Sequence, residues 1–179
     1  MTNWGVHNVP NFMARIHCAV LLLNLQGLTK YKNCERKEKI MEKLKEYLQS
    51  DNKEMKHEAW NYVESHYKEL GKDFIIEMLK FQDTGTRYRA WNFVKKLVDE
   101  NFLTVKECRD LSPYFLEMLR DKNLTVRALS WYVTLMPLIE LGIIDKEEVV
   151  KNYSKDLCEI YEQYKDVLEE VKEELKIEC

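Results

Sequence analysis

The stretch DFIIEMLKFQDTGTRYRAWNFVKKLV, residues 73–98, aligns without a gap with PYFLEMLRDKNLTVRALSWYVTLMPL, residues 113–138. Both stretches carry Glu-Met-Leu near the start, and Trp91 in the first falls on Trp131 in the second. Self-similarity at a period of about 40 residues is typical of helical-hairpin repeats, in which neighbouring copies stack to bury a shared core. The chain is therefore predicted to be built from such repeats.

A third copy lies earlier in the chain. Residues 59–63 read AWNYV and match AWNFV at residues 90–94, an offset of 31. Each copy reads as a helix, a short polar turn and a second helix. First helices are predicted at 36–49, 73–81 and 113–120, and second helices at 53–70, 86–100 and 124–141.

Turn and cap residues support these boundaries. Gly71 and Gly142 stand where a helix C-terminal cap favours glycine, and Ser112 precedes Pro113 as a helix N-cap would. Pro137 interrupts an apolar helix and should kink it. Two capping-box patterns, 41 residues apart, extend the repeat toward the C-terminus, at residues 104–107 (TVKE) and 145–148 (DKEE).

The remaining segments are interpreted as caps of one domain spanning residues 1–179. Residues 1–33 hold an apolar helix at about 11–26, residues 34–144 hold the three repeats, and residues 145–179 hold acidic C-terminal helices. Within the last segment, a helix starting at Ser154 is expected to run on to about Lys176. Terminal repeats need a polar outer face because they lack one neighbour.

Composition favours an all-α, cytoplasmic protein. The chain is 45% apolar and 33% charged, with only five Gly and three Pro, too few turn-forming residues for a many-stranded β-fold. Its most apolar run, residues 18–23 (CAVLLL), is far shorter than the roughly 20 residues that cross a bilayer. That run also lacks the flanks of a signal peptide.

The cysteines and histidines predict neither disulfides nor a metal site. Cys18, Cys34, Cys108, Cys158 and Cys179 are odd in number and far apart, without a C-x-x-C pair, and are expected to be reduced thiols. The exposed Cys179 could crosslink two chains in air. No H-E-x-x-H pattern occurs among the four histidines. We therefore predict no metal and no cofactor.

Charge is distributed unevenly along the chain. Residues 1–33 carry three bases and no acid, residues 34–144 are balanced, and residues 145–179 carry six bases against twelve acids. The acidic end argues against a nucleic-acid footprint over the whole surface, while a local basic stripe remains compatible with the balanced middle.

The repeats resemble the HEAT family of the armadillo-type α-helical superfamily, whose usual turn carries an Asp followed six positions later by an Arg. Asp121 and Arg127 fit this pattern, whereas the other two copies place Phe81 and Ser50 at the Asp position. The resemblance covers about residues 36–141. It implies a right-handed α-α superhelix, a HEAT-like solenoid of about three hairpins with capping helices at both ends, and it does not by itself imply an activity.

Every copy has a cation four residues before a tryptophan. Positions i and i+4 are neighbours on a helix, so each cation could lie over its ring, and stacked repeats would align the pairs into a ladder suited to a partner. Alternatively, the rings seal the core between repeats and the cations bridge turn carbonyls or acids. The candidate partner-binding residues are Lys56, Trp60, Arg87, Trp91, Arg127 and Trp131.

Bases cluster on the middle copy, interleaved with aromatic residues, so a positive patch is predicted there or else a solvated face. The cluster comprises Lys80, Arg87, Arg89, Lys95 and Lys96 with Tyr88 and Trp91. No nucleophile motif, phosphate-binding loop or paired catalytic carboxylate can be identified, which predicts that the protein is not an enzyme. A HEAT-like iron enzyme would need several His-Glu pairs, and only His57-Glu58 is present.

Three functional hypotheses follow. The leading one is a non-enzymatic binding or scaffold module that holds a protein partner on its second helices. The alternative is a nucleic-acid-binding protein resembling the HEAT-like alkylation-repair glycosylases, which would need a continuous positive groove. The third is a homodimer formed through the N-terminal apolar helix, which carries Phe12, Met13, Ile16, Val20, Leu21 and Leu23.

Overall fold

The computed structural model describes residues 30–179, with side chains from Lys37 onward. The chain divides into two compact units, residues 1–45 and 46–179. Of the first unit, the described part belongs to helix α1, Lys30–Leu48, which begins earlier than expected and continues across the boundary. The N-terminal helix expected at 11–26, with the dimer interface assigned to it, lies outside the described residues.

The second unit is built of helices, and residues 30–179 contain no strand, so the all-α prediction is confirmed for the described chain. The elements are α2 (Lys53–Leu70), α3 (Lys72–Leu79), α4 (Thr84–Asp99), α5 (Val105–Asp110), α6 (Ser112–Leu116) with a 3-10 turn (Glu117–Arg120), α7 (Leu124–Leu129) with a π turn (Ser130–Thr134), α8 (Leu135–Glu140), α9 (Lys146–Tyr161) and α10 (Lys165–Leu175).

An Asn or Asp side chain caps the start of each second helix. The side chains of Asn52, Asp83 and Asn123 each accept hydrogen bonds from the backbone N–H groups of the first turn that follows. These positions are 31 and 40 residues apart, the same register as the tryptophans. Asn and Asp suit this position because a short side-chain oxygen satisfies N–H groups that have no partner within the helix.

Glycines and a capping box set other boundaries as predicted. Gly71 and Gly142 have φ of 94° and 67°, where a side chain would be strained. Thr104 and Glu107 form a complete capping box at α5. The N-cap predicted at Ser112 is wrong. Ser112 lies inside α6 and its side chain caps nothing, because Leu111 occupies the cap position in a helical conformation.

The predicted second helices pack on one another through residues 46–179. Among the second helices, α2 contacts α4, α4 contacts the π turn, and the π turn contacts α10. Outside these helices, the 3-10 turn after α6 contacts α9. The pair α9–α10 thus packs on the preceding helices, with α9 against the 3-10 turn and α10 against the π turn.

The expected single helix from Ser154 to Lys176 is wrong. The chain leaves the helical conformation at Tyr164, with φ −124° and ψ 26°, and α10 then packs on α9 and on the π turn. Such a break lets the apolar side chains of both helices face the core, where Leu157, Ile160, Leu168, Val171 and Leu175 are buried.

The helix that contains Pro137 is irregular ahead of the proline, where Ser130–Thr134 form a π turn. The backbone N–H of Leu135 donates to the carbonyl of Ser130, five residues back. Pro137 has no N–H to offer the carbonyl of Val133, and its ring crowds that carbonyl. The π turn accommodates this conflict within an otherwise continuous second helix.

Candidate functional site

The three repeat tryptophans lie in the core. Trp60 is 3% exposed, and Trp91 and Trp131 are 0% exposed. The indole N–H groups of Trp91 and Trp131 donate to the carbonyls of Leu79 and Leu119, both at 2.9 Å, at the ends of the preceding first helices. Of the two alternatives, the one with the rings in the core therefore fits the structure. Trp91 and Trp131 each satisfy a helix-end carbonyl, whereas the Trp60 indole N–H donates to Glu64.

The three cations of the predicted ladder pair with acids. Lys56 lies 2.8 Å from Asp83 across consecutive second helices. Arg87 lies 2.7 Å from Glu117 and Arg127 lies 2.8 Å from Glu159, so each arginine reaches the following first helix. Cation–ring contacts in residues 37–179 involve other cations, and none joins these three to their tryptophans.

Two of these cations, Arg87 and Arg127, are buried, which indicates that their ion pairs stabilise the fold. Arg87 and Arg127 are 8% and 7% exposed, and the Nε atom of each is buried without a hydrogen-bond partner. Burial tends to raise the pKa of Asp83, but hydrogen bonds from the Lys56 ammonium and the Thr86 backbone outweigh it and leave that pKa below its ordinary value. The second interpretation of the repeated cations, as bridges to acids, is the one that these contacts support.

The predicted basic patch on α4 is not continuous. Arg87 is buried, Lys95 lies 3.1 Å from Asp99, and Lys96 lies over the ring of Phe93 at 5.2 Å. Intramolecular partners thus occupy most of the bases on this helix. Arg89 differs from these bases because its one polar partner within residues 46–179 is a histidine and not an acid.

Arg89 lines a polar groove between α2 and α4, with a volume of about 210 Å³. Its Nη1 atom lies 3.2 Å from Nδ1 of His57, which places the two side chains together across consecutive second helices. The groove, called here the Arg89 groove, is lined by His57, Trp60, Asn61, Glu64, Arg89 and Asn92.

Asn61 and Asn92 are equivalent positions of consecutive repeats, and both side chains are exposed. Glu64 also lines the groove, where its carboxylate accepts the indole N–H of Trp60 at 2.5 Å. The groove therefore combines a guanidinium, an imidazole and two amides with one engaged carboxylate. The same repeat alignment identifies the two asparagines, but nothing in the sequence shows that Arg89 reaches His57.

A larger depression of about 590 Å³ lies at the C-terminal end of α2. Three of its lining residues are paired with one another: Lys68 lies 2.9 Å from Glu100, and the Tyr67 hydroxyl donates to the same carboxylate. These hydrogen bonds hold the pKa of Glu100 below its ordinary value. The depression consequently offers no unpaired group from that cluster.

Residues 37–179 contain no group of three or more His, Cys, Asp or Glu side chains placed to hold a metal ion. Cys108 is fully buried, and burial raises the pKa of its thiol to about 11, so the thiol stays protonated and a poor nucleophile at neutral pH. Cys158 and Cys179 form a disulfide, which corrects the expectation that these two cysteines are reduced.

Within the described chain, no helix is both long enough and apolar enough to cross a bilayer. Comparisons with protein-family models, with curated proteins and with solved structures found no match.

Proposed function

We propose that this protein is a non-enzymatic binding module, a HEAT-like helical-repeat scaffold that holds a protein partner against its second helices. The observation that carries the proposal is the Arg89 groove, which opens between two consecutive second helices and is lined in part by the exposed polar side chains of His57, Asn61 and Asn92. Binding residues are often placed on a surface held by a rigid, well-packed frame. Here the buried tryptophans and ion-paired arginines supply that frame.

The proposal includes the finer architecture implied by the HEAT resemblance, a right-handed superhelical solenoid. The recurring caps at Asn52, Asp83 and Asn123 support repeated hairpins, as do the repeated indole hydrogen bonds of Trp91 and Trp131. The cytoplasmic location expected from the composition is not part of the proposal. Because reducing compartments disfavour disulfides, the Cys158–Cys179 bond argues against that location.

Site-specific photocrosslinking in the native cell tests the proposed surface. A photoreactive amino acid replaces Asn92, which is exposed on second helix α4, or Asp73, which is exposed on first helix α3 of the same hairpin. We expect one discrete protein adduct from position 92 and none from position 73. Equal capture at both positions, or capture only at 73, would place the partner elsewhere.

The nucleic-acid hypothesis has less support from the geometry. It would need a continuous positive groove, whereas the partly buried cations of residues 46–179 other than Arg89 all have carboxylate partners. Nucleic-acid adducts at position 92, together with affinity that falls steeply with salt, would favour it over a protein partner. The homodimer hypothesis predicts a dimer in light scattering, and a monomer at all concentrations would remove it.

A further inference from the structure

We propose that the Arg89 groove is a carboxylate-binding site, which receives one Asp or Glu side chain from a segment of the protein partner. This inference rests on the proposed function and names the chemistry of the contact. Its starting point is the one partly buried cation of residues 46–179 that lacks an acid.

Every other lysine or arginine of that unit that is buried or half-buried has a carboxylate within 4.0 Å. Arg89 has none, although it is half-buried like several of them. The cations with acid partners are Lys56, Lys72, Arg87, Arg127, Lys146 and Lys172. A half-buried guanidinium without an acid retains unsatisfied attraction for an anion.

The one polar contact of Arg89 within residues 46–179 leaves donors free. Nη1 donates to Nδ1 of His57 at 3.2 Å, and this contact requires an imidazole that is unprotonated at Nδ1 and carries its hydrogen on Nε2. A guanidinium has five N–H groups in a planar fork, so those not directed to His57 remain for a ligand. Two parallel N–H groups match the two oxygens of a carboxylate.

The neighbouring groups complete a donor set. Asn61 and Asn92 carry amide N–H donors on the two sides of the groove, one on α2 and one on α4. The acid already present, Glu64, accepts the Trp60 indole N–H and makes no ion pair with Arg89. An incoming carboxylate would therefore supply the anionic partner that Arg89 lacks within residues 46–179.

Size and charge favour an acidic side chain over a nucleic acid or a small metabolite. At about 210 Å³ the groove is smaller than the roughly 300 Å³ at which small-molecule sites begin. Nucleic-acid binding draws on several cations that neutralise successive phosphates, whereas Lys95 is paired with Asp99 and Lys96 lies over Phe93. The groove thus has one guanidinium without an acid partner, which can bind one carboxylate.

Selection from a phage-displayed library of random octapeptides tests the inference, with the full chain immobilised. We expect peptides selected on the wild type to share an Asp or Glu at a fixed position. Arg89→Gln should weaken binding of the selected peptides by roughly tenfold or more, the usual effect of losing a charge-assisted contact. Arg89→Glu should select Lys or Arg at the same position.

Lys95→Gln is the matched control, because it removes one positive charge from an exposed position of the same helix. It should leave peptide affinity within about twofold, since Lys95 already pairs with Asp99. Asn92→Asp is the second variant: it keeps Arg89, supplies an acid beside the groove and should weaken the same peptides. Because Asn92 is exposed, this variant is expected to fold even if Arg89→Gln does not.

The outcomes separate the inference from the proposed function. If photocrosslinking at position 92 captures a protein while the selected peptides share no acid, the carboxylate site is wrong and the binding module stands. If neither experiment finds a protein ligand, both are wrong. Arg89-dependent binding of a single-stranded oligonucleotide in preference to every peptide would overturn the carboxylate site and support a nucleic-acid partner.

Discussion

At the scale of single residues, the repeated tryptophans stabilise the hairpins. Replacing Trp91 by Ala removes a fully buried ring and leaves the Leu79 carbonyl without its donor. We expect a loss of about 3–5 kcal/mol in the free energy of unfolding, measured by urea denaturation. Tyr132→Ala, at a residue that is 37% exposed, is the control and should cost far less. A small loss for Trp91→Ala would contradict the core assignment.

For the repeated arginines, the sequence indicated the residues but not their contacts. Recurrence identified Arg87 and Arg127 as residues that matter, but the i,i+4 spacing suggested tryptophan rings as their contacts. Their carboxylate partners, Glu117 and Glu159, lie 30 and 32 residues further on and belong to the next repeat. Local spacing carries no information on contacts at that separation, because only the packing of hairpins creates them.

At the scale of elements, helix caps are the best-predicted features, because capping depends on a few consecutive residues. The Thr104–Glu107 capping box, which begins α5, forms as its sequence indicates. The π turn and the break at Tyr164 needed tertiary information. Each depends on which faces of neighbouring helices must be buried, and capping chemistry does not report this.

Glu107 makes the stability of α5 dependent on acid pH. Its pKa is lowered from 4.5 to about 2 by the Lys72 ammonium, followed by the Thr104 backbone and hydroxyl. A depressed carboxyl pKa stabilises the fold above the unfolded-state pKa, and this contribution is lost as pH falls through the folded-state pKa. The relevant window is therefore pH 4.5 down to about 2.

Glu107→Gln tests this assignment. Above pH 4.5 we expect the variant to be less stable than the wild type by about 1 kcal/mol, a value discounted because the carboxylate is 35% exposed. The difference should shrink toward pH 2, as measured by urea denaturation at a series of pH values. Glu147→Gln, at an exposed position in the first turn of α9, is a control without a resolved ion pair. A difference that does not change with pH would contradict the role assigned to the charge.

At the scale of the whole molecule, the Cys158–Cys179 disulfide ties the last residue to α9 with a sequence separation of 21. A cross-link closing a loop of that length stabilises a fold by about 3 kcal/mol on chain-entropy grounds. A phosphine reductant should therefore lower the free energy of unfolding of the wild type by about 2–3 kcal/mol. The Cys158→Ser/Cys179→Ser double variant should show no response. An equal response from both proteins would assign the effect to a disulfide between other cysteines.

The sequence by itself determined the helical class, the registers of 31 and 40 residues and several of the positions where helices are capped, though not the one at Ser112. These depend on residue type and on spacing within a turn or a hairpin, and both can be read along the chain. Only the tertiary structure decided that the repeat tryptophans are buried, that Arg87 and Arg127 bind acids of the next repeat, and that Arg89 is left without one. The physical reason is that stacking of hairpins brings together side chains about 30 residues apart, so exposure and charge pairing belong to the packed layers and not to any single helix.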